Sequence, residues 1–344
     1  MDLFTPIVEE GKLHHNFIHV KENKYVRRVL NEWARGFQDR DGKFVKELQT
    51  TFNSSFWELY LNAFLQKQSL VIDFSREAPD FIVVDKNKKT KYTIEATIAN
   101  HAANRPAEWE QKEKMEFMKN IPSDKEIKTI RLEATIRICN SILSKYKKYK
   151  SAYETLDYVA GKPFILGLAS YDSFSFYKYG MDPILRALYG TDKMFYDDNG
   201  EMVENIVKTV KKENGASIRV GLFTNSKYKE ISAILYSNTA TYGKLEAMSS
   251  QTNRKKILFN TVNYDAYGTE PTMKTEKGKD YKESLSDGLY LFINPYAVNP
   301  LSENDIKELS DPKTSVYRNK ETYTTNHGFL FSRETLRVTR RYLT

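Results

Sequence analysis

The chain has 344 residues, 40% of them hydrophobic and 28% charged, which describes a folded protein with a sizeable core and excludes a disordered or fibrous chain. Its formal net charge of +8 favours a polyanionic partner such as nucleic acid over a basic or neutral one. The one cysteine, Cys139, excludes an intramolecular disulfide and a cysteine-based zinc site and fits a reducing cytoplasm.

The N-terminal sequence MDLFTPIVEEGK has no basic region followed by a long apolar run, and no stretch approaches the about eighteen apolar residues of a membrane span. The expectation is a cytoplasmic protein without membrane contact. Residues 1–43 read as an N-terminal helical extension, with Tyr25, Val26, Leu30 and Trp33 on one helix and polar turn material from Gln38 to Gly42. His15 and His19 stand at i, i+4 beside His14, but with no third ligand nearby a metal site there is disfavoured.

From Phe44 to Gln66 the pattern is helical, with Phe44, Leu48, Phe52, Phe56, Leu59 and Ala63 in one stripe. Ser54, Ser55, Glu58 and Asn62 form a narrow polar strip on the remaining face, as expected of a buried helix facing a cleft. Three β-rich runs follow: Leu70 to Phe74, Phe81 to Val84, and Tyr92 to Ile94 leading into Glu95. The polar segment Asp85 to Thr90 makes the second and third a hairpin, and alternation puts Thr93, Glu95 and Thr97 on one face, Tyr92, Ile94 and Ala96 on the other. Residues 98–126 lose periodicity around EWEQKEKMEF, a lid helix or a solvated surface helix.

Ile127 to Tyr149 is a second strong helix with Cys139 on its apolar side; its polar side carries Arg131, Arg137, Asn140, Ser141, Lys145 and Lys148, fit to meet phosphates or simply water. Pro163 to Ser170 reads as a strand covered on both faces. Beyond it the pattern predicts a helix at Asp182 to Leu188 and strands at Arg219 to Phe223, Ile231 to Tyr236, Ile257 to Asn260 and Leu289 to Ile293. Polar loops are expected from Tyr242 to Arg254 and from Tyr264 to Glu283, and FLFSRETLRVTRRYL reads as a strand with a cationic tail.

No phosphate-binding loop, dinucleotide fingerprint, HExxH or GxSxG elbow is present. What stands out is acidic: Glu58 interrupts the apolar helix FWELYLNAFL, and Asp80 and Glu95 sit within strand runs. Buried unpaired carboxylates are costly, and a metal ion is an economical partner for three of them.

Glu58 on a helix, Pro79-Asp80 at the start of a strand and Glu95-Ala96-Thr97 in the hairpin's second strand, in the order αβββαβ, resemble the PD-(D/E)XK nuclease superfamily over about Phe44 to Ser170. The resemblance implies an α/β fold: a restriction-endonuclease-like core at 44–170, its mixed sheet flanked by helices, and a C-terminal α+β extension at 171–344 that continues or packs on that sheet. It implies a Mg²⁺-dependent endonuclease, with Mn²⁺ able to substitute, acting on DNA in preference to RNA in antiphage defence, restriction or genome processing. Asp80 and Glu95 would be the primary ligands, with the Ala96 carbonyl; Glu58 would hold a metal-bound water or a second ion. Thr97 stands where the family usually has lysine, and it would orient water or phosphate. Lys91, Arg131, Arg137 and Lys145 are the candidate replacements and nucleic-acid contacts. A homodimer and an activating protein partner are compatible with such an enzyme. The alternative is a catalytically incomplete module that binds nucleic acid or a partner protein without cutting.

Overall fold

Aromatic density places the central helix. In the computed structural model, which describes residues 1–102, 107–110, 123–173, 175–196, 202–212, 214–249, 256–265, 270–310, 315–318, 321–324 and 328–337, four helices open the chain: α1 His15–Glu22, α2 Lys24–Trp33, α3 Phe44–Thr50 and α4 Phe52–Lys67. Phe56, Trp57, Leu59, Tyr60, Leu61, Phe64 and Leu65 leave α4 almost nothing exposed. The continuous helix expected from Phe44 to Gln66 is therefore two. Thr51 takes φ −132 and ψ 47, and the hydroxyls of Thr50 and Thr51 donate back to the carbonyls of Lys46 and Glu47, so two β-branched residues end α3 while the apolar stripe carries on.

The strands are β1 Val71–Ile72, β2 Phe81–Val84, β3 Thr90–Asn100, β4 Phe164–Tyr171, β5 Thr191–Tyr196, β6 Met202–Ile206, β7 Thr209–Lys211, β8 Ser217–Arg219, β9 Ile231–Ser237, β10 Ile257–Tyr264, β11 Pro271–Lys277, β12 Leu289–Ile293, β13 Ser315–Arg318, β14 Glu321–Thr324 and β15 Phe329–Arg337. The later helices are α5 Asp124–Lys148, α6 Asp182–Tyr189, α7 Tyr242–Met248 and α8 Glu303–Leu309. The central sheet has eight strands in the order β1-β2-β3-β4-β9-β12-β13-β14. β3, β4 and β9 run parallel, as does β12 with β13, while β1-β2-β3, β9-β12 and β13-β14 are antiparallel. A separate sheet, β11-β10-β15, and two hairpins complete the described strands.

Both faces of the central sheet are covered. On one, α1 to α4 pack on Tyr92, Ile94, Ile165, Leu235 and Leu291; on the other, Ile138, Cys139 and Ile142 of α5 and Ile184 and Leu188 of α6 pack on Phe164, Leu166, Leu168 and Ile234. Burial pushes the Cys139 thiol up to about 12, so it serves as a small core residue. Helix α4 lies close on β4: the Trp57 indole donates to the Gly167 carbonyl at 2.9 Å, and a Cβ on Gly167 would stand 2.7 Å from Leu61 Cδ1. No helix among the described residues is long and apolar enough to cross a membrane.

Three expectations for the second half need correction. Only Ser217–Arg219 is strand near Arg219 to Phe223, because the amides of Leu222 and Phe223 turn back to the carbonyls of Ala187 and Leu188. The expected loop from Tyr242 holds α7, whose polar residues Lys244 and Glu246 are buried. The expected loop from Tyr264 holds β11, exposed along nearly its whole length. Residues 111–122, which include most of the charged centre EWEQKEKMEF, and the cationic tail at 338–344 lie outside the described residues.

Candidate functional site

Register brings the acids together. β2 and β3 pair with Phe81 opposite Ile94, so Asp80, just before β2, lies beside Glu95. One Asp80 oxygen, Oδ2, accepts the Ala96 N–H at 2.7 Å; the other, Oδ1, is 3.9 Å from the Arg40 guanidinium. Arg40 also donates to the carbonyls of Arg76 at 2.6 Å and Pro79 at 3.2 Å, so it ties down the loop that delivers Asp80.

Helix α5 runs antiparallel to β3. Arg137 Nε donates to the Asn100 carbonyl at 2.6 Å, Ser141 to the Ile98 carbonyl at 2.8 Å, and Lys145 Nζ to Glu95 Oε1 at 2.6 Å. Four helical residues rise about 6 Å, close to the about 6.6 Å of two strand residues from Asn100 to Ile98; the next step spans three strand residues, about 10 Å, and the Lys145 and Glu95 side chains bridge the difference. Lys148, on the next step, reaches the same Glu95 oxygen at 2.9 Å. α5 then passes into a π-helical turn, Tyr149–Tyr153, which brings the Tyr153 hydroxyl to Glu95 Oε2 at 3.1 Å. Glu95 is 0% exposed, so these three donors compensate a wholly buried carboxylate.

The electrostatics divide the acids. Burial alone would raise the Glu95 pKa, but the Lys145 and Lys148 ammonium groups outweigh it and hold it below the usual carboxylate value. Asp80 moves the other way, to about 6, through burial and then the neighbouring Glu95 charge. Glu58, partly buried on α4, is raised well above its ordinary value by desolvation and then by Asp80. It makes no hydrogen bond or ion pair with a described residue.

Of the candidate cations, Lys145 reaches the acids. Lys91 is held by Asp305 at 3.3 Å and by Glu308, Arg131 pairs with Asp182 at 2.9 Å, and Arg137 is spent on the Asn100 carbonyl. Thr97 is partly buried beside the cluster, and its hydroxyl bonds no described residue. The polar strip on α4 is not a cleft lining throughout: Asn62 is fully buried and donates to the carbonyls of Trp33 and Arg35, which anchors the end of α2. Arg40 and Tyr153 were missed in the sequence; neither has a spacing that links it to Asp80 or Glu95. The N-terminal histidines stand apart, His15 and His19 with their Nε2 atoms 2.9 Å from each other and His14 capping α1.

Among the described residues no group of three or more His, Cys, Asp and Glu side chains is arranged to hold a metal ion. The donors nevertheless suit a hard cation kept largely hydrated. Glu58 and Asp80 offer carboxylate oxygens whose pKa values are raised by burial and then by a neighbouring acid, and Mg²⁺ commonly takes one or two carboxylates, waters and substrate phosphate. Glu95 has both oxygens committed to Lys145, Lys148 and Tyr153. No protein-family model, no curated protein and no solved structure matches this chain.

Proposed function

We propose that the chain is a Mg²⁺-dependent nuclease of the PD-(D/E)XK kind, hydrolysing phosphodiester bonds of DNA in preference to RNA, with Lys145 in the role of the lysine expected at position 97. The observation that carries this reading is the convergence of Lys145 on Glu95 beside the amide-anchored Asp80. Glu58 and Asp80 would hold the cation, which supplies neutralisation of the scissile phosphate and acidification of water. Lys145 places a positive charge where phosphate charge develops, Glu95 fixes that ammonium, and Tyr153 and Lys148 fix Glu95. Arg40 keeps the Asp80 loop seated.

The non-cutting alternative draws on one observation, the saturation of Glu95 by three donors. Incubation of plasmid and single-stranded DNA with Mg²⁺ or Mn²⁺ separates the two readings. Nicked or degraded product is expected from the wild type, with a loss of at least a hundredfold in Asp80→Ala and Glu95→Ala, the scale of losing a group that stabilises developing charge. Identical products from all three proteins would end the nuclease reading.

A further inference from the structure

On the far side of α2 from the core lies an open cavity of about 640 Å³, lined by Lys24, Arg27, Arg28, Asn31 and Arg35 and walled by Phe4. The helical spacing of these residues is not accidental to packing. Val26, Val29, Leu30 and Trp33 take the buried face of α2, so Lys24, Arg28 and Asn31 are left together on the exposed one, with Arg35 two residues past its end.

Two acids share the cavity and both are already engaged. Asp2 folds back on its own turn, accepting the amides of Phe4 and Thr5 and the Thr5 hydroxyl, and Glu32 pairs with Arg28 at 3.3 Å. Arg27 lies over the Phe4 ring at 5.8 Å, while Lys24 and Arg35 form no ion pair among the described residues. The cavity is thus a concave surface with uncompensated positive charge on long side chains.

Its mounting is rigid and leads to the acidic cluster. Asn62 on α4 holds the Trp33 and Arg35 carbonyls at 2.7 and 3.0 Å, and Glu58 lies one helical turn from Asn62, a rise of about 6 Å. Arg40, which touches Asp80, follows Arg35 by five residues, at most about 17 Å of chain. From Lys24 to Arg35 the strip itself spans on the order of 16 Å.

We propose that this strip is a docking surface for the sugar-phosphate backbone of duplex DNA, separate from the acidic cluster and engaging the same duplex. This rests on the nuclease reading and names a surface by which such an enzyme would hold its substrate. The charge, the polar character of the wall and the spacing of cations along α2 and just past its end suit a line of phosphates better than the apolar centre of a protein interface, for which the lining offers Phe4 and Pro6.

The test is DNA binding without catalysis: anisotropy of a labelled duplex of about 20 base pairs in EDTA, over about 0.05 to 0.2 M salt, with wild type, Lys24→Gln/Arg35→Gln, and a control Lys211→Gln/Lys274→Gln on distant exposed strands. Loss of two phosphate contacts should make the salt slope shallower by about 1.8 and weaken binding roughly fiftyfold at 0.1 M, with the control unchanged. Equal slopes for the two double variants would overturn the strip alone, leaving cleavage by the wild type intact. Absence of any duplex binding in the wild type would overturn the strip and the nucleic-acid reading together. Tighter binding of a polyglutamate chain than of the duplex would overturn it in favour of an acidic protein.

Discussion

Two of the buried charge clusters, those around Glu283 and Glu95, treat their acids in opposite ways. Around Glu283, Lys244 Nζ lies 2.6 Å from one carboxylate oxygen and Arg333 grips both at 2.7 Å; Lys244 also donates to the carbonyls of Ser284 and Asp287, and Arg333 to that of Thr239. The Glu283 side chain is wholly buried, yet its pKa is lowered, because Arg333 and Lys244 outweigh the desolvation that would raise it. This knot ties α7 and β15 to the turn before β12 and leaves no acid with surplus charge. Around Glu95 both lysines go to one acid of three; Asp80 has Arg40 only at 3.9 Å, and burial and a neighbouring acid keep the pKa values of Asp80 and Glu58 raised. A carboxylate gripped by two cations keeps a low pKa and serves the fold, whereas buried acids without a close ammonium partner keep raised pKa values, the mark of a site open to a further ligand.

The sharpest way to break this comparison is to remove the acid that closes the first network. Glu283→Leu leaves two buried cations facing each other and should cost about 3–5 kcal/mol in urea unfolding, against a small change for Glu58→Gln. A loss below about 1 kcal/mol would make the two networks equivalent. Next comes the division of labour on Glu95. Lys145→Met should lower cleavage by about 10²- to 10³-fold, and Lys148→Met by much less, since the Lys148 side chain is 49% exposed against 24% for Lys145. Single-turnover rates with saturating Mg²⁺ check this, and equal losses would remove the distinction.

The smallest effect is on pH. Asp80 has its folded pKa raised to about 6 from 3.8, so the folded state holds the proton more tightly and stability falls as pH rises through that window. The penalty levels off above pH 6 at on the order of 3 kcal/mol. Asp80→Asn, which keeps an acceptor for the Ala96 amide, should therefore gain stability over the wild type at pH 8 and little at pH 4. Chemical denaturation without divalent ions at the two pH values tests it.

Much of the route to the site was legible in the sequence. The apolar runs of α4, β2, β3, β4 and α5 each carry a period that survives without tertiary context, and three acids out of place in such runs mark themselves. Choosing Lys145 over Lys91 was not possible from spacing, because it depends on how α5 registers against β3 across the intervening segment. Lys91 shows the difficulty: its distance from Glu95 along the strand is short, but its charge is captured by α8, more than two hundred residues away. The second half hid its elements for related reasons. β11 is solvated on both faces and has no apolar alternation to read, and α7 buries a lysine and a glutamate that look like loop chemistry until Glu283 and Arg337 are placed beside them.

The pairing of α5 with β3 limits how this chain can vary. Because the helix lays one donor against the strand at each four-residue step, one residue inserted between Arg137 and Lys145 would turn the lysine by about 100° and carry it off Glu95. The same insertion after Tyr153 would leave the pairing untouched. The helix therefore acts as a ruler: the number of residues from Arg137 to Lys145 is tied to the strand segment from Asn100 to Glu95 that their donors reach.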